Sequence, residues 1–241
     1  MARQTPPFRG LLAVFGLLAS MAAAPARAAL PQTPLSSTAA AALLMDWHQL
    51  LAQYPAANDK VFIAVDVARQ QLYFFRNGVL ADTWPVSTAS RGTGERDGSF
   101  ETPLGVFEIS GKIGAGLPAF AVLDRHGPTG GIARPVFTPD DPAANEMITT
   151  RILTLTGLEP GWNEGGDVDT RARHIYIHGT ADLGQLGQPA SKGCIQMAPG
   201  AVIRLFRAVQ PGTIVLIILG PGTLETMPGD PPAIVADRDE D

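Results

Sequence analysis

The chain has 241 residues, 45% of them apolar, with 18 Lys and Arg against 23 Asp and Glu, a net charge of −5. That length and apolar content suit one globular domain with a sizeable core, and an acidic balance argues against a nucleic-acid partner, which would call for a basic face. Cys194 is the only cysteine, so no disulfide framework can form within the chain.

The first residues read as an export signal. Arg3 and Arg9 precede an apolar run from Leu11 to Ala24, and Ala26-Arg27-Ala28 offers a cleavage site. The run is shorter than the roughly 20 residues that a membrane span needs, so residues 1–28 are expected to be a signal peptide and the mature protein a periplasmic one with no integral span. Those residues carry Arg3, Arg9 and Arg27 and no acid. Without them, 15 basic residues stand against 23 acidic ones, a formal charge of −8.

Residues 29–57 read as a Pro/Ser/Thr leader and a helical prefix. Ser36 or Ser37 can cap a helix that runs to about Gln53, with Leu43, Leu44, Trp47, Leu50 and Leu51 on one stripe and His48 at the surface. From Lys60 the apolar period becomes that of strands. Strands are expected over 61–67, 71–75 and 79–88, with Asn77-Gly78 as a hairpin turn because both residues tolerate positive φ. A Gly-rich polar loop spans 90–99, Thr102-Pro-Leu-Gly105 turns into a strand over 106–109, and residues 111–146 read as a long Gly/Pro-rich functional loop bordering a substrate groove. Further strands are expected over 147–156, 173–178 and 213–219. Pro199 starts a helix with Val202, Leu205, Phe206 and Val209 on its apolar face. The sum is a mainly β domain over 58–220, followed by a Pro/Gly/acidic tail over 221–241.

The chemistry concentrates in two stretches, His174-Ile-Tyr-Ile-His178-Gly179-Thr180 and Ser191-Lys192-Gly193-Cys194-Ile195-Gln196. On a strand, His174, Tyr176 and His178 share a face. The glycine-containing loop after Gly179 can return Cys194 to His178, giving a thiol with a neighbouring base. Backbone N–H groups of Lys192, Gly193 and Cys194 can donate to a developing oxyanion. The ammonium of Lys192, two residues before the thiol, is placed to tune it. A zinc site is a weaker reading, because residues four apart on a strand lie roughly 13 Å apart. A papain-like protease lacks its local signature here and has the opposite order of cysteine and histidine. Two unrelated core residues remain a third reading of the motifs taken singly.

Nine pieces in order carry a resemblance: Val65-Asp66, Gln71-Leu-Tyr-Phe-Phe75, Asn77-Gly78, Pro85-Val-Ser-Thr88, Thr102-Pro-Leu-Gly105, Gly157-Leu-Glu-Pro-Gly161, Gly165-Gly-Asp-Val-Asp169, Tyr176-Ile-His-Gly-Thr180 and Ser191-Lys-Gly-Cys-Ile195. Together, residues 61–219 resemble the L,D-transpeptidase catalytic domain (the YkuD or ErfK/YbiS/YcfS/YnhG type). The resemblance implies a mainly β, sandwich-like fold with a few short helices, a periplasmic or wall location, no cofactor and no metal. It implies Cys194 as nucleophile, His178 as base and the Gly179 carbonyl as its orienting group. Lys192, Gly193 and Cys194 would line the oxyanion hole, and Tyr176, Ser191 and Gln196 would meet substrate. His174 would be secondary. The implied substrates are peptidoglycan stem peptides, with a stem amine, a lysine of a wall-anchored protein, a D-amino acid or water as acceptor, and the implied inhibitors are carbapenems. Two departures stand out: the family usually has Ser-His-Gly-Cys where this chain has Ser191-Lys-Gly-Cys194, and Arg or Asn where it has Gln196. A wall-binding protein that lost activity with that histidine is the rival of another class.

Overall fold

The structure, a computed structural model, describes residues 34–138 and 147–221. The expected signal peptide, the beginning of the leader, residues 139–146 of the long loop and all but the first residue of the tail lie outside the described residues. No described helix is long and apolar enough to cross a membrane.

Helix α1 spans Ser37–Gln53, and Ser36 caps it by accepting from the Ala39 amide at 3.2 Å. Ten strands follow: β1 (Val61–Asp66), β2 (Gln71–Arg76), β3 (Val79–Ser87), β4 (Gly105–Ile113), β5 (Ala121–Asp124), β6 (Gly127–Ile132), β7 (Ile148–Gly157), β8 (Tyr176–Gly179), β9 (Ile195–Met197) and β10 (Ile214–Ile218). Helix α2 (Pro199–Ala208) lies between β9 and β10. The β2–β3 turn has Asn77 at φ 51° and Gly78 at φ 74°, the geometry that a two-residue hairpin loop needs to follow the strand twist.

All ten strands belong to one sheet in the order β4-β10-β1-β2-β3-β9-β8-β7-β5-β6. Strand β4 also pairs with β7, so eight strands close into a ring and the β5–β6 hairpin extends from β7 outside it. The mainly β expectation holds, with the two faces of the sandwich made by one continuous sheet.

Side-chain alternation sorts the apolar residues by face. Val61, Ile63, Val65, Leu72, Phe74, Val215 and Ile217 enter the main core, where Val202, Leu205 and Phe206 of α2 also pack. Their neighbours Phe62, Ala64, Tyr73, Phe75, Ile214, Leu216 and Ile218 pack on the other face with Leu43, Trp47 and Leu50 of α1. Strands β1 and β10 therefore read as unbroken apolar runs, because both of their faces are covered. On the far side of the ring, Leu123 of the hairpin covers Ile152 and Tyr176, with Cys194 at the margin of that cluster.

Two expectations are corrected. The stretch 111–146 is not a featureless loop: β4 continues to Ile113, and a hairpin follows. Strand β6, Gly127–Ile132, is exposed at five of six positions and lies at the end of the sheet, so no burial rhythm marks it and Pro128 is tolerated. The strand expected over 173–178 begins only at Tyr176, because His174 has φ 57° and sits in a turn.

Trp47 stacks on Phe62 with ring centroids 5.6 Å apart and planes 8° from parallel. Trp47→Ala should lower unfolding stability by about 3–5 kcal/mol, as measured by chemical denaturation, while reactivity at Cys194, on the opposite side of the ring, stays unchanged.

Candidate active site

Strands β8 and β9 run parallel with Ile177 beside Ile195, His178 beside Gln196 and Gly179 beside Met197. Ile177, Ile195 and Met197 point into the main core. By alternation, Tyr176 and His178 project from the other face, as does Cys194 one residue before β9. Ile152, beside His178 on β7, shares that face.

His178 is buried, and its Nδ1 lies 2.9 Å from the Gly179 carbonyl oxygen. A carbonyl only accepts, so Nδ1 carries the ring hydrogen and Nε2 keeps the lone pair. Burial pushes the imidazole down from 6.5 to about 4, with the Gly179 carbonyl opposing this. Gly179 is glycine for a reason of space. A Cβ there would lie 2.7 Å from the Thr149 carbonyl oxygen and 2.9 Å from the Thr150 Cβ, because β7 bulges toward it.

Cys194 keeps part of its surface open, yet its sulfur sits amid dense protein. The thiol donates to the His174 carbonyl at 3.4 Å. Burial pushes it up to about 11, opposed by a hydrogen bond from the Tyr176 backbone N–H and by the positive charge of Arg173. At neutral pH the thiol and the imidazole are therefore both held in their neutral forms.

The loop carrying Cys194 is tied down on several sides. Ser191 Oγ donates to the Cys194 carbonyl at 2.6 Å and accepts from the Gly193 N–H at 3.2 Å. Thr102 Oγ1 donates to the Gly193 carbonyl at 2.9 Å, and the Ala190 and Ser191 amides donate to Thr88 O, both at 2.8 Å. Gly193 has φ 121°, and a Cβ there would lie 2.9 Å from Ile175 Cδ1 and 3.1 Å from the Glu101 carbonyl oxygen. Only glycine fits that close approach in that conformation.

The expected site residues thus divide. By alternation Tyr176, His178, Cys194 and Gln196 project from one face, and the Gly179 carbonyl accepts from His178. Ser191 spends its hydroxyl on the loop itself, and Cys194, His178, Ser191 and Gln196 all lie outside the set of residues that line the neighbouring groove. The Gly193 N–H, expected to face an oxyanion, is directed to Ser191 in the resting site. Lys192 is exposed, and the cation whose field reaches the thiol is Arg173. His174 is exposed at the rim, where its Nδ1 shares a 3.0 Å hydrogen bond with Tyr176 OH and its carbonyl holds the thiol. Because His174 lies in a turn, the strand-spacing argument against zinc loses its premise. Among the described residues no three His, Cys, Asp or Glu side chains converge.

Sequence reasoning missed Thr102 and Arg173. The Arg173 guanidinium donates to the Glu101 carbonyl at 2.8 Å, the same carbonyl that crowds Gly193, and it lies 3.4 Å from Ser99 Oγ. No local pattern announces either residue, since both act across long sequence separations.

A groove of about 600 Å³ adjoins the thiol's face. Val122, Leu123, Met147 and Ile148 supply its apolar wall, and Arg125, His126, His174 and Tyr176 its polar one.

With this geometry in hand, comparison with known proteins is informative. A profile of the YkuD family, the L,D-transpeptidase catalytic domain, matches residues 60–217. The chain belongs to this family. No curated protein sequence matches it. Among solved structures it is similar to an L,D-transpeptidase from Mycobacterium smegmatis, with 16% identity, TM-score 0.41, and 66% of this chain and 58% of that one covered. An L,D-transpeptidase from Enterococcus faecium gives 16% identity, TM-score 0.40 and coverages of 66% and 50%. L,D-transpeptidase 3 from Mycobacterium tuberculosis, solved with a faropenem-derived adduct, gives 17% identity, TM-score 0.41 and coverages of 65% and 59%. This L,D-transpeptidase family member thus spans between half and three-fifths of the length of those structures.

Two outcomes follow from the electrostatics. Arg173→Met should slow iodoacetamide alkylation of Cys194 at pH 8 more than Lys192→Met does, and Arg173→Lys should recover part of the loss; equal rates in all four proteins would remove Arg173 from the site. His178 takes up its proton near 6.5 when unfolded and only near 4 when folded. Its contribution to stability is complete above pH 6.5 and is lost as pH falls toward 4. Denaturation midpoints across that window should decline in the wild type and decline less in His178→Gln.

Proposed function

We propose that this protein is an exported L,D-transpeptidase that acts on peptidoglycan stem peptides through a thioester on Cys194. The observation that carries the reading is the tautomer of His178: with Nδ1–H committed to the Gly179 carbonyl, the lone pair of Nε2 belongs to a ring on the same face as Cys194, the chain's single cysteine. Membership of the L,D-transpeptidase family supports the substrate class.

Cys194 Sγ attacks the carbonyl of the third residue of a tetrapeptide stem while His178 Nε2 takes the thiol proton. The backbone N–H of Cys194 and that of Lys192 face the developing oxyanion, and the Gly193 N–H joins them if Ser191 releases it. The C–N bond to the terminal D-Ala breaks, and the imidazolium returns its proton to the leaving amine. An acceptor amine then attacks the thioester and restores the thiol. The β5–β6 hairpin forms one wall of the donor groove, which gives the long stretch 111–146 a function despite its ordered form. His174 and Tyr176 line the same groove.

The mature protein incubated with disaccharide-tetrapeptides should give cross-linked dimers or exchanged stems by mass spectrometry, and a carbapenem should add covalently to Cys194 but not to Cys194→Ala. His178→Ala should reduce acylation by about 10²-fold or more, whereas His174→Ala should retain much of it. Stems trimmed without transfer would assign a carboxypeptidase instead. No reaction and no adduct would assign a wall-binding protein that has lost catalysis.

A further inference from the structure

The groove beside Tyr176 has a feature that the thioester chemistry does not use. Its polar wall is built from Arg125, His126 and His174, and the single acid among its lining residues is Asp124. Asp124 is already engaged: its Oδ1 accepts from the His126 N–H at 2.7 Å and from the Gly127 N–H at 3.1 Å, closing the β5–β6 turn. The Arg125 Nε donates to His126 Nε2 at 3.0 Å, which holds His126 as an acceptor at that atom and fixes the guanidinium at the turn. Burial and then the Cys194 sulfur raise the Tyr176 hydroxyl above its ordinary value, and the Arg125 charge opposes them. The Tyr176 hydroxyl is in turn joined to His174 Nδ1 at 3.0 Å. Below these groups lie Leu123 and Ile148, which pack in the cluster that Cys194 borders.

The arrangement is a short apolar trough with a cationic fork and hydroxyl at its polar side, in a protein that is otherwise acidic. A guanidinium presents paired N–H donors that match a carboxylate, and a hydroxyl can add a third. The one carboxylate, Asp124, has one oxygen committed to the turn, whereas the guanidinium of Arg125 commits only its Nε to His126. We propose that this groove is a carboxylate subsite, in which Arg125 and Tyr176 hold a free carboxylate of the donor stem and so select acid over amidated stems. The proposal rests on the reading of the site as one for stem peptides. Two carboxylates of a tetrapeptide stem share this chemistry, that of the terminal D-Ala and the free one on the side chain of the third residue.

The decisive measurement uses the full-length mature protein with three synthetic stems: the acid, the terminal amide, and the amide at the side chain of the third residue. Binding is measured by calorimetry on Cys194→Ala, so that no turnover is needed, and kcat/KM on the wild type. Removing one charge-assisted pair should cost about five- to tenfold. One of the two amides should therefore bind about that much more weakly than the acid, and whichever amide it is identifies the carboxylate. Arg125→Gln should weaken the acid to the level of that amide and leave the amide unchanged, while Arg125→Lys should restore part of the preference. Acid and amides that bind alike, or an Arg125→Gln effect equal on all three stems, would overturn the subsite. Selective binding without turnover would keep the subsite and overturn the transpeptidase reading. Turnover without selection would do the reverse, and absence of binding by any stem would overturn the subsite while the carbapenem adduct decides the enzyme separately.

Discussion

The parallel pairing of β8 with β9 is the constraint on which the site rests. It is only three residues long, yet both strands are held from behind by Ile175, Ile177, Ile195 and Met197 in the main core. A shift of one residue in register would turn each of these into the groove and each polar partner into the core. The burial of four large apolar side chains therefore does more than stabilise: it fixes which face carries the thiol and which level along the strand carries the imidazole. The remaining ties, from Thr102, Thr88 and Ser191, set the local path of the loop within that frame.

Dense packing has an electrostatic consequence. His178 and Cys194 are both held in their neutral forms, the imidazole down at about 4 and the thiol up at about 11. A site that stored a ready thiolate would need a cation against the sulfur, and Arg173 supplies only a partial counterweight while half its guanidinium serves the Glu101 carbonyl. In the proposed thioester reaction, proton loss and bond formation would then be coupled, with donors to the acyl oxygen stabilising the charge that develops. An unoccupied thiol of this kind is also protected from adventitious oxidants, which react with thiolates. That protection suits a cysteine with no second cysteine in the chain to pair with.

Much of this was legible in the sequence because it is written in local patterns. The Ser36 cap, the Asn77-Gly78 turn, Pro199 at the start of α2 and the alternation through β8 all follow from neighbours in the chain. The co-occurrence of His178-Gly179 and Gly193-Cys194 is equally local. What escaped was whatever needs partners far away. Arg173 looks like a surface cation until the turn at His174 brings it to Glu101, more than 70 residues away. Ser191 looks like a groove residue until its hydroxyl is seen to hold the Cys194 carbonyl and the Gly193 N–H. The β5–β6 hairpin has no rhythm to read because an edge strand made of Gly127-Pro-Thr-Gly-Gly131 buries almost nothing. Lys192, two residues before Cys194 in sequence, is exposed, whereas the distant Arg173 reaches the Glu101 carbonyl that crowds Gly193.

The bulge in β7 opposite Gly179 has a consequence for how this sequence can drift. Thr150 adopts φ 69°, and its Oγ1 accepts from the Phe120 N–H at 3.0 Å, so the root of the hairpin is fastened to the same strained residue that presses on Gly179. Three inherited features are thereby interlocked: the hydroxyl at 150, the missing side chain at 179 and the entry into the hairpin at 120. A Cβ gained at 179 is tolerated only after the bulge relaxes, and the bulge can relax only if the hairpin is reseated. Substitutions at these positions are therefore contingent on one another, and the order in which they arise decides whether an intermediate sequence still folds around His178.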